Sequence, residues 1–194
     1  MRKDIMVDIE TLGNKIDSTI IQISAVSFNL QTGSIYETFN EVADISKNES
    51  EISVTGSTLQ WWVNTNTELF AKLLTGGMCS SEDVLRHFHR WLSGEISSAK
   101  YVYLWGNGIL FDNAMIRQQF ESIGLDYPIF YRNDRDVRTI LELASIKLGK
   151  SEKELREEVY DNELVAHDAF NDVANQVKLV SFCYNVLTEY ADCR

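Results

Sequence analysis

The sequence predicts a single α/β domain with a central mixed β-sheet, antiparallel at its N-terminal strands and flanked by helices. Three segments rich in β-branched residues come first in the chain. Segments with apolar residues three and four positions apart then follow, with one further apolar strand among them. Strands that come first and then mix with helices indicate one sheet covered by helices. The 194 residues suffice for one such domain over 1–194.

The three N-terminal strands are predicted over 3–9, 19–28 and 35–42. The second is dense in isoleucine, and the third alternates polar and apolar residues. Thr32-Gly33 marks the turn between them. Short connections favour antiparallel neighbours, so we expect a three-stranded meander.

The later elements follow from helical periodicity and from turn residues at their ends. Predicted helices cover 57–63 with a continuation over 68–74, and then 81–94, 111–123, 136–148, 151–158 and 169–190. A buried strand is predicted over 101–105, followed by a turn at 106–108. This order indicates helices on both faces of the sheet.

Composition narrows the class of protein. The apolar fraction is 44% and the charged fraction 24%, typical of a soluble globular domain. No apolar run approaches the roughly 20 residues needed to cross a bilayer, and no secretory signal is recognised at the N-terminus. Cys79, Cys183 and Cys193 are odd in number and widely spaced. We therefore expect free thiols in a cytoplasmic protein and find no support in the cysteine spacing for a zinc site.

The net charge is −11 and the pI about 4.7. This argues against a protein that binds nucleic acid nonspecifically along its length, since such surfaces are usually basic. A metal-dependent site must nevertheless concentrate acids. Arg132, Arg135 and Arg138 lie within seven residues, and they form either a local binding cluster or scattered surface charge.

Two acids on the first strand are the first candidates for chemistry. Asp8 and Glu10 are two positions apart, so their side chains share one face of the strand. Two carboxylates at the end of a buried strand repel each other, and a bound cation relieves that repulsion. In a chain with 29 acidic residues the pair alone is more consistent with chance.

Further candidates occur at two helix starts. Asp112 follows the strand over 101–105 and its glycine turn, where active sites of such sheets gather. His167 precedes the last helix and Asp172 lies in its first turns, with Asp168 as the predicted cap. Each acid taken alone is equally consistent with an ordinary helix start.

Other patterns carry less weight. His87 and His89 are two positions apart on a helix and point in different directions, so they are not a metal pair. Gly106-x-Gly108 opens a helix, but Phe111 occupies the third glycine position of a dinucleotide fingerprint, which therefore fails. Trp61-Trp62 could stack on bases, although core packing is expected for at least one of them.

Taken in order, the acidic segments form a recognisable set: Asp8-x-Glu10, then Phe111-Asp112, then His167-x-x-x-x-Asp172. This combination resembles the DEDDh class of 3′–5′ exonucleases, which have a ribonuclease H-like fold. The sister class carries a tyrosine four residues before its last acid. Asp168 occupies that position here and the histidine lies five residues before, which indicates the histidine class.

Additional stretches resemble the phage exodeoxyribonuclease A and exonuclease VIII-like branch of that class. They are the segments 8–13, 59–62, 105–108, 111–113 and 131–139. One departure is visible, because many members carry His-Asn where this chain has Gly106-Asn107. The departure leaves the acids unchanged and weakens the transfer of substrate preference.

The resemblance implies hydrolysis of phosphodiester bonds at nucleic-acid 3′ ends, with release of 5′-mononucleotides. Two divalent ions, Mg²⁺ or Mn²⁺, would lie about 3.5–4 Å apart. The implied metal ligands are Asp8, Glu10, Asp112 and Asp172, and the implied substrate-binding residues are Thr11, Leu12 and Asn113. His167 would accept the proton of the attacking water.

Three functions remain open at the level of sequence. The leading expectation is a 3′–5′ exodeoxyribonuclease acting on single-stranded DNA. A 3′–5′ exoribonuclease is the nearest alternative, because contacts to the 2′-hydroxyl decide the substrate. A catalytically inactive binding module is a third, disfavoured by the intact acids and histidine. The sequence leaves the oligomeric state open between a monomer and a homodimer.

Overall fold

The computed structural model describes residues 2–96, 101–161 and 163–189. Its five-stranded sheet has the order β3-β2-β1-β4-β5. The strands are β1 (Lys3–Thr11), β2 (Ile20–Phe28), β3 (Ile35–Val42), β4 (Val102–Gly106) and β5 (Asp134–Asp136). β1 is antiparallel to β2, and β2 to β3. β4 and β5 add to the other side of β1 in parallel, which makes the sheet mixed.

Seven α-helices lie within the described residues. They are α1 (Gly56–Thr65), α2 (Thr67–Thr75), α3 (Ser81–Glu95), α4 (Asp112–Ser122), α5 (Val137–Leu148), α6 (Glu152–Val159) and α7 (Ala169–Thr188). Side-chain caps fix several of their starts, including Ser80 before α3 and Ser151 before α6, each in a capping box. Among the described residues, none of these helices combines the length and hydropathy needed to span a membrane.

The predicted meander, mixed sheet and flanking helices are confirmed, including the order of the elements. α7 ends at Thr188, and the last predicted residue of that helix, Tyr190, lies outside the described residues. β5 was not predicted. Its three residues are all charged, so they carry no strand pattern, and the strand exists because it pairs with β4.

Successive side chains of β1 point to opposite faces of the sheet, so the apolar side chains of this strand contribute to a hydrophobic core on each face. Ile5, Val7 and Ile9 pack with α3 and α4 on one face. Met6 packs on the other face with residues of α5 and α7. Asp8 and Glu10 share the parity of Met6, so they belong to the face covered by α7. The buried stripe predicted for α7 includes Val173, Val177 and Val180, all at most 1% exposed.

β1 extends beyond the end of its neighbour β4, and this difference in length positions the candidate acids. Their parallel pairing ends at Met6 and Trp105, whereas β1 continues to Thr11. β4 stops at Gly106, and the chain turns there into α4. The last part of β1 therefore has an open edge on the side where α4 begins.

Candidate active site

Three carboxylates converge where β1 meets α7. Oxygen atoms of Asp8, Glu10 and Asp172 all lie within 4.8 Å of one another. Asp8 and Glu10 come from β1, and Asp172 from the first turn of α7. Glu10 is only 9% exposed. The structure thus brings together three of the four acids singled out in the sequence, from segments more than 160 residues apart.

Asp112 lies beside this trio and is 4% exposed. The nearby backbone N–H groups of Ile9, Asp112 itself and Asn107 lower the pKa of its carboxyl group, against the larger opposing effect of burial. Ile9 has this N–H available because β4 ends before reaching it. The open edge of β1 therefore lies against the fourth acid. Burial and then the negative charges of the neighbouring acids, Asp112 among them, raise the pKa values of Asp8 and Glu10.

The start of α7 is fixed by its cap and by β2. The side chain of Asp168 accepts from the N–H of Phe170, 3.0 Å away. Gln22 of β2 accepts from the N–H of Ala169 at 3.2 Å and donates to Asp168 at 3.4 Å. Gln22 is 2% exposed, and the sequence did not single it out. Its contacts tie the helix that carries Asp172 to the sheet that carries Asp8.

His167 precedes this helix in a left-handed backbone conformation, with φ of 66°. That conformation is uncommon for a residue with a side chain. The N–H of His167 donates to Oδ2 of Asp172 at 3.1 Å. The imidazole lies edge-on against the ring of Trp61, with centroids 4.8 Å apart. His167 is therefore held beside the carboxylates from two sides.

Gln176 is a second residue that no sequence pattern singled out. It lies one helical turn after Asp172, is 3% exposed, and donates from Nε2 to Oδ1 of Asp8 at 2.8 Å. The spacing of four residues was a usable signal, because it places both side chains on one face of α7. This hydrogen bond orients one carboxylate oxygen of Asp8 and leaves the other free.

The local environment strongly favours the protonated forms of these acids. Burial, followed by neighbouring negative charges, raises the pKa of Asp8 and of Glu10 well above its ordinary value. Burial also raises the pKa of Asp112 from 3.8 to about 7, against the opposing effect of nearby backbone N–H groups. The pKa of Asp172 is raised by burial as well. Four carboxylates of this kind fit a cation, whose positive charge would stabilise their ionised forms.

This charge arrangement predicts a pH-dependent stability of the metal-free protein. A carboxyl group with a raised pKa binds more protons in the folded chain than in the unfolded chain, so stability falls as pH rises. For Asp112 the fall spans pH 3.8 to about 7. With EDTA present, we expect a lower melting temperature at about pH 7.5 than at about pH 5.

The control is Asp112→Asn, which removes one of these titrations and should reduce the difference in melting temperature. Saturating Mg²⁺ should reduce it too, because a cation favours the ionised carboxylates at the higher pH. An equal loss of stability in the wild type and in Asp112→Asn would contradict the assigned protonation.

An aromatic cleft opens beside the carboxylates. We define it by Glu10, Thr11, Ser57, Trp61 and Phe111, which line it. Trp61 is 41% exposed and presents its ring to this cleft. Its neighbour Trp62 is 1% exposed and belongs to the core, as expected for one of the two tryptophans. The indole N–H of Trp62 donates to the carbonyl of Thr11 at 3.1 Å and fixes the cleft wall.

The predicted substrate-binding residues occupy different positions. Thr11 lines the aromatic cleft, with its hydroxyl donating to the carbonyl of Gly13 at 2.6 Å. Leu12 packs in the core, its N–H donates to Thr19 and its carbonyl accepts from Thr55, both at 2.9 Å. These neighbours occupy the groups through which Leu12 was expected to contact a nucleotide.

Asn113 is 3% exposed and lies behind Asp112. Its amide donates to Oδ1 of Asp134 at 2.7 Å and to the carbonyl of Leu104 at 3.2 Å. It therefore ties the start of α4 to β4 and β5. This geometry gives Asn113 a supporting position behind Asp112.

The same packing accounts for Gly106, the position at which the sequence departs from the expected His-Asn pair. A Cβ built on Gly106 would overlap Oδ1 of Asn113 and lie 3.3 Å from Cβ of Asp112. A larger residue would displace the start of α4. Glycine at this position is therefore coupled to the buried Asn113.

The three arginines over 132–138 do not form one patch. The guanidinium of Arg132 lies over Tyr131 and that of Arg135 over Tyr103, at 5.2 and 4.5 Å from the ring centroids. Arg138 is exposed beside the active site: a Cβ on Gly108 would lie 3.0 Å from its guanidinium carbon, and its charge lowers the pKa of Asp112.

Comparison with solved structures shows the same fold in several nucleases. Cell-death related nuclease 4 superimposes with a TM-score of 0.65 at 15% identity, covering 94% of this chain and 64% of that one. The nuclease domain of 3′hExo, described as a DEDDh family member bound to rAMP, gives 0.60 at 18% identity, covering 94% and 92%. The E. coli ExoI–ssDNA complex in its zinc-bound form gives 0.65 at 14%, covering 96% and 41%.

The chain thus spans about two thirds of the first of these proteins and less than half of E. coli ExoI. No curated protein sequence matches. A family model does match, over residues 3–184, and it describes the Rv2179c-like 3′–5′ exoribonuclease domain. This match contains all four acids and His167. The chain therefore belongs to the Rv2179c-like family of 3′–5′ exonuclease domains, with the ribonuclease H-like fold of the DEDDh nucleases.

Proposed function

We propose that this protein is a divalent-metal-dependent exonuclease that removes mononucleotides from single-stranded RNA 3′ ends. The observation that carries the proposal is the convergence of Asp8, Glu10 and Asp172 within 4.8 Å, with Asp112 beside them. Burial raises the pKa values of all four acids and so disfavours their ionised forms. A bound cation would stabilise those ionised forms. The description of the sequence family supports the direction of degradation, which runs from the 3′ end towards the 5′ end.

The four carboxylates are the proposed metal ligands. Their donor atoms are all oxygens, which suits Mg²⁺ or Mn²⁺. When bound, two such ions would supply Lewis acidity and lower the pKa of an attacking water. The chain itself contributes the orientation of these ligands: Gln176 holds one oxygen of Asp8, and the edge of β1 lies against Asp112.

We assign His167 as the general base. Its ring contacts Trp61 and its backbone N–H donates to Asp172, so His167 lies beside the proposed metal ligands. A neutral imidazole can accept a proton from water and return it to solvent. The aromatic cleft is the proposed site of the terminal nucleotide, with Trp61 offering a ring face for stacking. Thr11 lines that site, and we propose supporting roles for Leu12 and Asn113.

The preference for RNA over DNA is the most specific part of the proposal. The family description favours RNA, whereas the segments similar to the phage exodeoxyribonucleases favour DNA. Matched 5′-labelled RNA and DNA oligomers of one sequence, digested with Mg²⁺, separate the two. Faster shortening of RNA from its 3′ end supports the proposal. Faster shortening of DNA replaces it with the exodeoxyribonuclease, and no shortening of either supports an inactive binding module.

Arg138 is proposed to bind a phosphate of the substrate strand. It is exposed, and its guanidinium lies against the loop that leads to Asp112. A hydrogen bond to a charged group is worth about 1.5–3 kcal/mol. Arg138→Ala is therefore expected to lower kcat/KM by about 10- to 100-fold, at about 1.4 kcal/mol per tenfold.

Arg132→Ala is the matched control, because that arginine lies over Tyr131 and not beside the site. It should leave kcat/KM unchanged. The salt dependence of KM should weaken only in Arg138→Ala, since one phosphate contact is lost there. Equal effects of the two variants would contradict the proposed role.

Two further expectations concern the protein as a whole. Association into a homodimer and a cytoplasmic location both remain predictions from sequence. Light scattering coupled to gel filtration tests the first, and fractionation of the source cells tests the second.

A further inference from the structure

A second set of metal-binding side chains lies away from the active site. Glu41 is the next-to-last residue of β3, Cys79 lies on the loop between α2 and α3, and His87 lies in the second turn of α3. Nδ1 of His87 lies 2.8 Å from Oε2 of Glu41. A sulfur, a nitrogen and an oxygen ligand atom from the three residues all lie within 4.8 Å of one another. We call this set the Glu-Cys-His cluster.

The backbone around the cluster is held by several contacts. Ala43 forms a parallel bridge with Cys79, and the N–H of Asp44 donates to the carbonyl of Cys79 at 2.8 Å. The ring of Phe88 in α3 packs against Phe39 of β3, with centroids 5.2 Å apart. Cys79 and Phe88, the neighbour of His87, thus have fixed tertiary contacts, and Glu41 is held in β3 by its pairing with Ile23 of β2. The three donors come together because the fold places them, and not through flexible side chains alone.

The cluster and the active site lie on opposite faces of the sheet. Asn40 of β3 accepts hydrogen bonds from Gln22 and Ser24, at 3.0 and 2.6 Å. These two residues of β2 pair with Glu10 and Asp8 of β1 and share their face. Since successive residues of a strand alternate, Glu41 points to the other face, where α3 packs.

The donor set distinguishes the two sites chemically. The active site offers carboxylate oxygens, which suit hard ions. One thiolate, one imidazole and one carboxylate suit Zn²⁺, which commonly binds three protein ligands and a water. All three residues are partly exposed, so an ion can reach them. Burial, followed by the negative charges of Glu41 and Asp83, raises the pKa of the Cys79 thiol, and a bound cation would offset that negative charge.

We propose that the Glu-Cys-His cluster is a Zn²⁺ site that cross-links the edge strand β3 to α3. Glu41, Cys79 and His87 supply one ligand each, and the thiol of Cys79 releases its proton on binding. The site is separate from the catalytic acids and does not depend on the proposed function. It would fasten an edge strand that pairs with β2 alone in the described sheet.

Cobalt tests this proposal, because Co²⁺ substitutes for Zn²⁺ and gives a thiolate-to-metal charge-transfer band in the near ultraviolet only when sulfur is a ligand. Metal-free protein titrated with Co²⁺ is expected to develop this band. Zn²⁺ should abolish it and Mg²⁺ should not, since a thiolate prefers the softer ion. The carboxylates of the active site cannot produce the band, whatever ions they bind.

Cys79→Ser is expected to lose the band and one bound Zn²⁺ per chain, and His87→Ala to weaken Zn²⁺ binding. Cys183→Ala is the matched control, because this thiol packs in the core on the other face of the sheet, and it should keep both. Circular dichroism and the Mg²⁺-dependent nuclease activity verify that each variant is folded. A wild-type protein without the band, or a band that persists in Cys79→Ser, would overturn the proposal.

Discussion

Asp8→Asn is expected to abolish nuclease activity and at the same time to stabilise the metal-free protein. Metal ions provide several kcal/mol of transition-state stabilisation, so losing a ligand should lower kcat by about 10³-fold or more, at about 1.4 kcal/mol per tenfold. The same substitution removes a buried charge whose pKa is raised by burial, Asp112 and Asp172. The melting temperature in EDTA at neutral pH should therefore increase.

The amide oxygen of the new asparagine can still accept the hydrogen bond from Gln176, which keeps the substitution conservative. Glu37→Gln is a suitable control, since this exposed acid of β3 lies outside the carboxylate cluster. It should change neither activity nor stability appreciably. Full activity of Asp8→Asn would refute the metal assignment, and a lower melting temperature in EDTA would refute the proposed repulsion.

His167→Ala is expected to lower kcat by about 10²- to 10⁴-fold, the usual contribution of a general base. Binding of Mg²⁺ should persist, because the carboxylates remain in place. Isothermal titration with Mg²⁺ and single-turnover digestion of a labelled oligomer measure the two effects separately. The backbone N–H of residue 167 still donates to Asp172 in this variant, so the cluster keeps that contact.

Trp61→Phe serves as the comparison, because it keeps an aromatic neighbour for His167 and changes the cleft only moderately. We expect a higher KM with kcat largely retained, as for a residue that binds the terminal base. Loss of Mg²⁺ binding in His167→Ala would instead make His167 a ligand. An unchanged kcat would exclude it as the base.

Much of the fold was available from sequence because the elements carry strong local patterns. The β-branched run of β2 and the apolar periodicity of α7 needed no tertiary information. β5 could not be predicted, because its residues are all charged and only pairing with β4 makes them a strand. Substrate binding by Asn113 stays a prediction, and the structure adds that its buried amide donates to Leu104 and Asp134.

The order and spacing of Asp8, Glu10, Asp112, His167 and Asp172 could be read directly, because each residue has a distinctive type at a recognisable element boundary. The contacts that orient these side chains could not be read from the sequence, because the contacts join segments that are distant in the chain. Gln22 and Gln176 look like ordinary polar residues until β2 and α7 meet beside β1.

The sequence by itself predicted most of the elements, the general class of 3′–5′ exonucleases and the acids proposed to bind metal ions. The tertiary structure alone decided which polar side chains meet. It placed Arg138 beside the active site and its two neighbours elsewhere. It also joined Cys79 to Glu41 and His87, a combination that no cysteine spacing indicates. The physical reason is that strand pairing and helix packing bring together residues whose separation along the chain carries no periodic signal.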